Sequence, residues 1–318
     1  MQSAVLFLIF NRPDTTQQVF EAIRAAKPPR LYVAADGARQ NREGEFMRCE
    51  EVRKIATTVD WPCEVKTLFR SENLGCKLGV SGGINWFFEN EEEGIILEDD
   101  VLPIPSFFEY CDELLERYRH DQKVGVISGC NLVSKRFMPS ESYFFSRYNH
   151  VWGWASWRRA WQHYDVTMQE WPSWRDKGGL KSISDGNKLF ESYWRTIFDN
   201  AYRGGIDTWD YQWIFSCWYH GMVTALPALN QTCNFGFGHP DAVHTTGVVP
   251  DYIMGSIAEP LTFPLRHPVN LERSLVADAM IDRIAFGITK KAFLITKLRQ
   301  VPLLGELLST IKRCITNG

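Results

Sequence analysis

The chain has no long apolar run, no excess of positive charge and no closely spaced cysteine pair, and each absence removes a class of protein. The opening stretch Ala4 to Phe10 is apolar but runs straight into Asn11-Arg12-Pro13, too short for a membrane span and the wrong shape for a signal sequence. Nothing elsewhere approaches a spanning segment. A formal net charge of −3 leaves no electrostatic footprint for nucleic acid, so none is expected as a partner. The eight cysteines are scattered with no Cys-x-x-Cys spacing and read as reduced, mostly buried thiols. Internal repeats and low-complexity segments are also missing. These exclusions point to a cytoplasmic protein, soluble or peripheral on the inner face of the membrane.

What is present is a chain of 318 residues with 45% hydrophobic content, enough to bury the core of one large domain or two intimately packed ones. Its first third alternates short apolar runs with amphipathic stretches, the pattern of strands joined by helical crossovers in a mostly parallel sheet. Strands are predicted over 4–10, 31–35, 65–69, 94–97 and 124–128. Helices are predicted over 14–26 (capped by Asp14), 46–59, 80–90 and 105–120. The expected fold class is α/β, doubly wound and mostly parallel. Residues 1–130 form its nucleotide-binding half and residues 131–270 complete the domain on an acceptor side. In that second part ten of the twelve tryptophans fall between Trp152 and Trp218. Residues 271–318 read as a basic helical extension.

The most informative run is Gly94 to Pro103, an apolar strand that ends in Glu98-Asp99-Asp100. Three adjacent carboxylates repel one another and are costly to bury, so a cation is expected among them. In open α/β sheets ligands sit outside the carboxyl ends of the strands. The predicted strand ends carry Asn11-Arg12, Asp36, Arg70 with Asn73, and the acid cluster. Arg12 and Arg70 suit phosphate oxygens, Asp36 suits a base or ribose, and Asp100 with Glu98 suits a hard cation, Mg²⁺ or Mn²⁺, shared with a diphosphate. The plain alternatives are a turn at Asp36-Gly37 and a strand-end carboxylate that caps the next helix.

Taken together in this order and spacing, Phe10-Asn11-Arg12-Pro13, Ala34-Ala35-Asp36-Gly37, Arg70 to Gly75 and Leu97-Glu98-Asp99-Asp100 resemble the GT-A glycosyltransferases. The nearest likeness is to bacterial relatives of the inverting N-acetylglucosaminyltransferase I type, over roughly residues 4 to 245. The resemblance implies a nucleotide-sugar donor, contacted by Phe10, Asn11, Arg12, Asp36, Arg70, Asn73, Glu98 and Asp99. It also implies a Mn²⁺ or Mg²⁺ ion with Asp100 as direct ligand, Glu98 beside it and His244 as a late ligand. The acceptor is a glycan, lipid-linked saccharide or glycoprotein. Inverting transfer needs a general base for the acceptor hydroxyl. Trp209-Asp210 matches the family's Trp-Asp-Asp segment, but Tyr211 replaces the second Asp, so Asp210 and Asp207 both stay open as the base.

Val151-Trp152-Gly153-Trp154 resembles the family's Gly-x-Gly-Trp region, with Trp152 and Trp154 expected against the donor sugar. Trp154, Trp157 and Trp161 also fall at helical spacing, and Trp157 and Trp161 are assigned to packing. The glycine-punctuated stretch Asn234 to His239, with Asp241 and His244, suits a loop that orders over a bound donor. Near the carboxyl terminus Leu303, Leu304, Leu307, Leu308, Ile311 and Ile315 recur at helical spacing beside Lys312 and Arg313. Such a helix fits an anionic membrane surface, its own domain or a second subunit of a homo-oligomer. The other readings are a GT-A-like carbohydrate-binding protein whose catalysis has lapsed, and a sugar-1-phosphate nucleotidyltransferase. The latter lacks its glycine-rich basic loop after the first strand.

Overall fold

The computed structural model describes residues 1–237, 257–291 and 294. The first third folds as the alternation predicts. β1 (Ala4–Ile9), α1 (Pro13–Ala26), β2 (Arg30–Ala35), α2 (Glu45–Thr57), β3 (Glu64–Phe69), α3 (Gly75–Asn90) and β4 (Glu93–Glu98) succeed one another. Then come β5 (Val101–Pro103), α4 (Pro105–Arg117), β6 (Val124–Ser128), β7 (Tyr143–Ser146), β8 (Trp154–Trp157) and α5 (Arg158–Trp161). The rest comprises α6 (Trp171–Asp176), α7 (Gly179–Ile183), α8 (Lys188–Tyr202), α9 (Asp210–Tyr219), β9 (Val223–Pro227), β10 (Thr232–Asn234) and α10 (Leu275–Ile284).

Eight strands form one sheet in the order β3-β2-β1-β4-β8-β6-β9-β7. β1 to β4 run parallel. β8 runs against β4 on one side and against β6 on the other, so β6 and its parallel partner β9 return to the direction of β4, while β7 runs against β9. The sheet is therefore mostly parallel and continues unbroken past residue 130, so the two expected halves share it. β5 and β10 make a separate two-stranded antiparallel ribbon.

Successive residues of a strand face opposite sides, and both sides of this sheet are covered. Val5, Phe7, Ile9, Val33 and Leu97 pack with α1, α2 and α4. Leu6, Leu8, Tyr32 and Ile96 pack with α3 and the tryptophan-rich helices. Arg12, not Asp14, precedes the first residue of α1, because the fixed φ of Pro13 suits the first helical position and starts the helix there.

One expectation about the second half is corrected. Trp154 and Trp157 lie in a strand, and the helix begins only at Arg158. Their three-residue spacing therefore puts them on opposite faces, Trp154 with Trp161, Trp209 and Trp213, and Trp157 with α4. Trp154 is fully buried and lines the core, not a sugar. The start of the expected basic helical extension packs into the domain. Asp278 and Asp282 of α10 are buried, where Arg147 pairs with Asp282 at 2.8 Å and Arg273 with Asp278 at 2.8 Å. The amphipathic stretch from Leu303 lies outside the described residues, and no described helix is long and apolar enough to cross a membrane.

Trp154→Ala is expected to lower the unfolding free energy by about 3–5 kcal/mol, read from urea denaturation. A loss under about 1 kcal/mol would contradict its place in the core.

Candidate active site

The acid cluster forms where β4 ends. β4 is paired to β1 as far as Leu8 against Glu98, so the next two residues turn beside the end of β1. Asp99 accepts from the Phe10 amide at 3.0 Å and from Arg12 Nη2 at 2.6 Å, and Asp100 accepts from Arg12 Nη1 at 2.8 Å. The cation demanded by the cluster is thus first of all the chain's own. Burial works against the Arg12 charge, but Asp99 and Asp100 outweigh it and raise its pKa above the ordinary value. One guanidinium does not balance three carboxylates. Burial, then Asp100 and Asp99, keep the half-buried Glu98 carboxyl well above the usual range, with Asp210 adding to the effect. Gly236 closes over the turn: a Cβ there would lie 2.2 Å from Asp100 Oδ2.

A second convergence lies at the start of α3. Its N-cap residue, Leu74, provides no side-chain cap. Asp36, at the end of β2, accepts from the amides of Leu74 at 2.9 Å and Gly75 at 3.1 Å, while Asp207 accepts from those of Cys76 and Lys77, each at 3.2 Å. Two carboxylates thus satisfy the donors a helix leaves open at its amino end and meet its positive dipole. Burial lifts the Asp36 carboxyl above its ordinary value against the pull of these amides and of Arg70. Gly75, at φ +77°, is required there, since a Cβ would also meet Asp207 Oδ2 at 2.8 Å. Cys76 sits between the two convergences: burial, then Glu98, Asp210, Asp207 and Asp100, push its thiol up.

The other predicted residues divide. Arg70 donates to the Gly79 carbonyl at 3.1 Å and Asn73 to the Gly37 carbonyl at 2.8 Å, so both brace the strand-end loops. Arg12 and Arg70, expected to meet phosphate, are engaged with carboxylates and with α3. Asn11 is buried and donates to Glu45 at 2.9 Å. Glu45, a fully buried carboxylate, also accepts from the Arg39 amide at 2.7 Å, and the Arg39 guanidinium lies 5.3 Å from the centre of the Phe10 ring. Burial pushes Glu45 up, yet Arg39 and Asn11 hold it below its ordinary value. Sequence reasoning missed Arg39, Glu45 and Cys76. An acid in the first turn of a helix reads as a surface charge, and the thiol carries no local signal.

Asp210 begins α9 and accepts hydrogen bonds from Thr208 Oγ1 and, at 3.0 Å, from the Tyr211 amide. It bears on Glu98 and Cys76 through space. The tertiary fold therefore brings Asp210 within electrostatic reach of Glu98, over a hundred residues away in sequence. Asp207 spends both oxygens on α3. Trp152 is half-buried, edge-on to Phe237 at 5.6 Å. His239, Asp241 and His244 lie outside the described residues.

Among the described residues no three His, Cys, Asp or Glu side chains form a metal-ligand set. Asp99 spends both oxygens on Arg12 and the Phe10 amide and Asp100 spends Oδ2 on Arg12, which leaves Glu98 and Asp100 Oδ1 as the hard oxygen donors of the cluster, with negative charge in excess. This pair fits a Mg²⁺ or Mn²⁺ ion that keeps waters and shares a diphosphate, and does not fit a closed protein cage. Two cavities lie elsewhere. One of about 420 Å³, lined by Ser3, Arg30, Glu93 and Arg119, opens at the amino ends of the strands. Another of about 480 Å³ lies between α1 and α4. Neither touches the acid cluster, which occupies the carboxyl ends where ligands of such sheets bind.

No protein-family model matches the chain, and no curated protein matches it. Among solved structures it is similar to HddC from Yersinia pseudotuberculosis, at 9% identity over 49% of this chain and 77% of that chain, with a TM-score of 0.28. It is also similar to the galactosyltransferase LgtC in complex with donor and acceptor sugar analogs. There the identity is 11% over 74% of each chain and the TM-score 0.36.

Arg12→Met would leave Asp99 and Asp100 uncompensated, with an expected cost of about 3–5 kcal/mol at neutral pH. A carboxyl whose folded pKa lies above its unfolded value stabilises the fold while protonated, and that contribution is lost as pH rises through the folded pKa. The deficit should therefore shrink between about pH 7 and pH 5, measured as the difference in urea midpoints from wild type. A deficit independent of pH would exclude carboxylate repulsion as its cause.

Proposed function

We propose that the chain is a metal-dependent glycosyltransferase of the GT-A type, moving a sugar from a nucleoside-diphosphate donor, UDP-linked, to a hydroxyl of a glycan, lipid-linked saccharide or glycoprotein with inversion. One observation carries the reading. At the carboxyl ends of the parallel strands, Asp99 and Asp100 are clamped by Arg12 beside Glu98, and the charge of Asp210 acts on Glu98 and on Cys76 in the first turn of α3, so that a cation site and a proton acceptor lie within electrostatic reach of one another.

The residues divide the work. Phe10 and Asp36, at the ends of β1 and β2, take the nucleoside side, with Arg39 and Glu45 behind Phe10. Glu98 and Asp100 would hold a Mn²⁺ or Mg²⁺ ion, which when bound would supply Lewis-acid stabilisation of charge on the leaving diphosphate. Arg12 holds Asp99 and Asp100 in place and tempers their repulsion. Asp210 takes the proton of the acceptor hydroxyl, and the half-buried Trp152 offers an aromatic face to a sugar. A lapsed, binding-only protein would leave the charge of Glu98 and Asp100 without a role.

A thermal-shift panel of nucleoside diphosphates and nucleotide sugars with Mn²⁺ or Mg²⁺ is expected to show metal-dependent stabilisation by one donor, because ligands of the folded state raise its stability. Asp100→Asn should abolish that shift. Asp210→Asn should keep it and lose sugar transfer by about 10²-fold or more. Metal-dependent binding without donor hydrolysis or transfer would favour the binding-only protein, and no binding would end the transferase reading.

A further inference from the structure

We infer that Asp207 is a positioning residue, a clasp that fixes the segment carrying Asp210 against the start of α3; the inference rests on the transferase reading above. A helix is ordinarily capped by a Ser, Thr, Asp or Asn adjacent in sequence. α3 has Leu74 at that position and receives its caps from far away, Asp36 from 38 and 39 residues off and Asp207 from 131 and 130 residues off. Each long-range cap ties its own segment to the same helical turn.

The segment that Asp207 ties down is the one that carries Asp210. It leaves α8 through Gly204, at φ +74°, and through Gly205, where a Cβ would fall 2.0 Å from Asn200 Oδ1. Its next residues are held in three directions. Asp207, exposed at the rim, bonds outward to α3. Thr208 donates to Asp210, and Trp209 is buried against Trp154 at 5.8 Å. With Trp209 fixed in the core, the Asp207 bonds settle how the turn into α9 lies against α3, and hence where Asp210 lies relative to Glu98 and Asp100. Small misplacements of a reacting group cost rate far more than binding.

The test compares Asp207→Ala and Asp207→Asn with wild type, using whichever nucleotide sugar gives the metal-dependent thermal shift. For Asp207→Ala, kcat is expected to fall by roughly 10- to 100-fold with the donor KM within about twofold of wild type. Asp207→Asn, which keeps an acceptor oxygen, should recover part of the rate. Hydrogen exchange at the Cys76 and Lys77 amides should speed up in the Ala variant. Unchanged kcat, or loss carried by donor KM, would overturn the inference while leaving the transferase reading intact. Absence of transfer by the wild-type chain would sink that reading and the positioning role with it, and unchanged exchange at Cys76 and Lys77 would remove the clasp itself.

Discussion

Repulsion among the carboxylates at the end of β4, and its partial relief by Arg12, is the constraint around which the rest of the site is arranged. The turn at Asp99-Asp100 follows a central strand, so it cannot move into solvent to shed its charge. Arg12 at the start of α1 is the local answer, with contacts of 2.6 and 2.8 Å to the two aspartates. The pair is shielded from water, and its geometry therefore governs whether the turn is tolerated at all. Burial, and then the surplus of negative charge from Asp100 and Asp99 over one guanidinium, hold Glu98 toward its protonated form. A further cation at Glu98 and Asp100 would relieve that residual imbalance.

The first turn of α3 organises the same region from the opposite side. Its amides draw in Asp36 from β2 and Asp207 from the loop before α9, and Cys76 lies between them and the acid cluster. A helix start that binds an external anion in other folds is here filled by two carboxylates of the chain itself. Its role is thereby internal: it joins the strand ends of the first half to the segment that carries Asp210 in the second.

The tryptophans illustrate how local pattern and tertiary context part ways. Their crowding between residues 152 and 218 marked a distinct region, and that region does form an aromatic layer on one face of the sheet. Which of them face a cleft was not legible. The three- and four-residue spacing of Trp154, Trp157 and Trp161 fits one helical face, but β8 pairs with β4 and β6 in the middle of the sheet and imposes strand alternation instead. Pairing with neighbours decided the period, and so sent Trp154 and Trp157 into different cores.

The amino-acid sequence by itself determined the alternation of strands and helices in the first third, the α/β class and the polar residues at the strand ends. These depend on periodicity and on residues adjacent in the chain. Only the tertiary structure decided which cation meets Asp99 and Asp100, that Asp207 spends both oxygens on α3, and that Glu45, Arg39 and Cys76 gather near the strand ends. Each of these depends on groups tens to more than a hundred residues apart. A carboxylate's role follows from the charges and donors that surround it in space, and those neighbours are set by sheet order, which leaves no local trace in the chain.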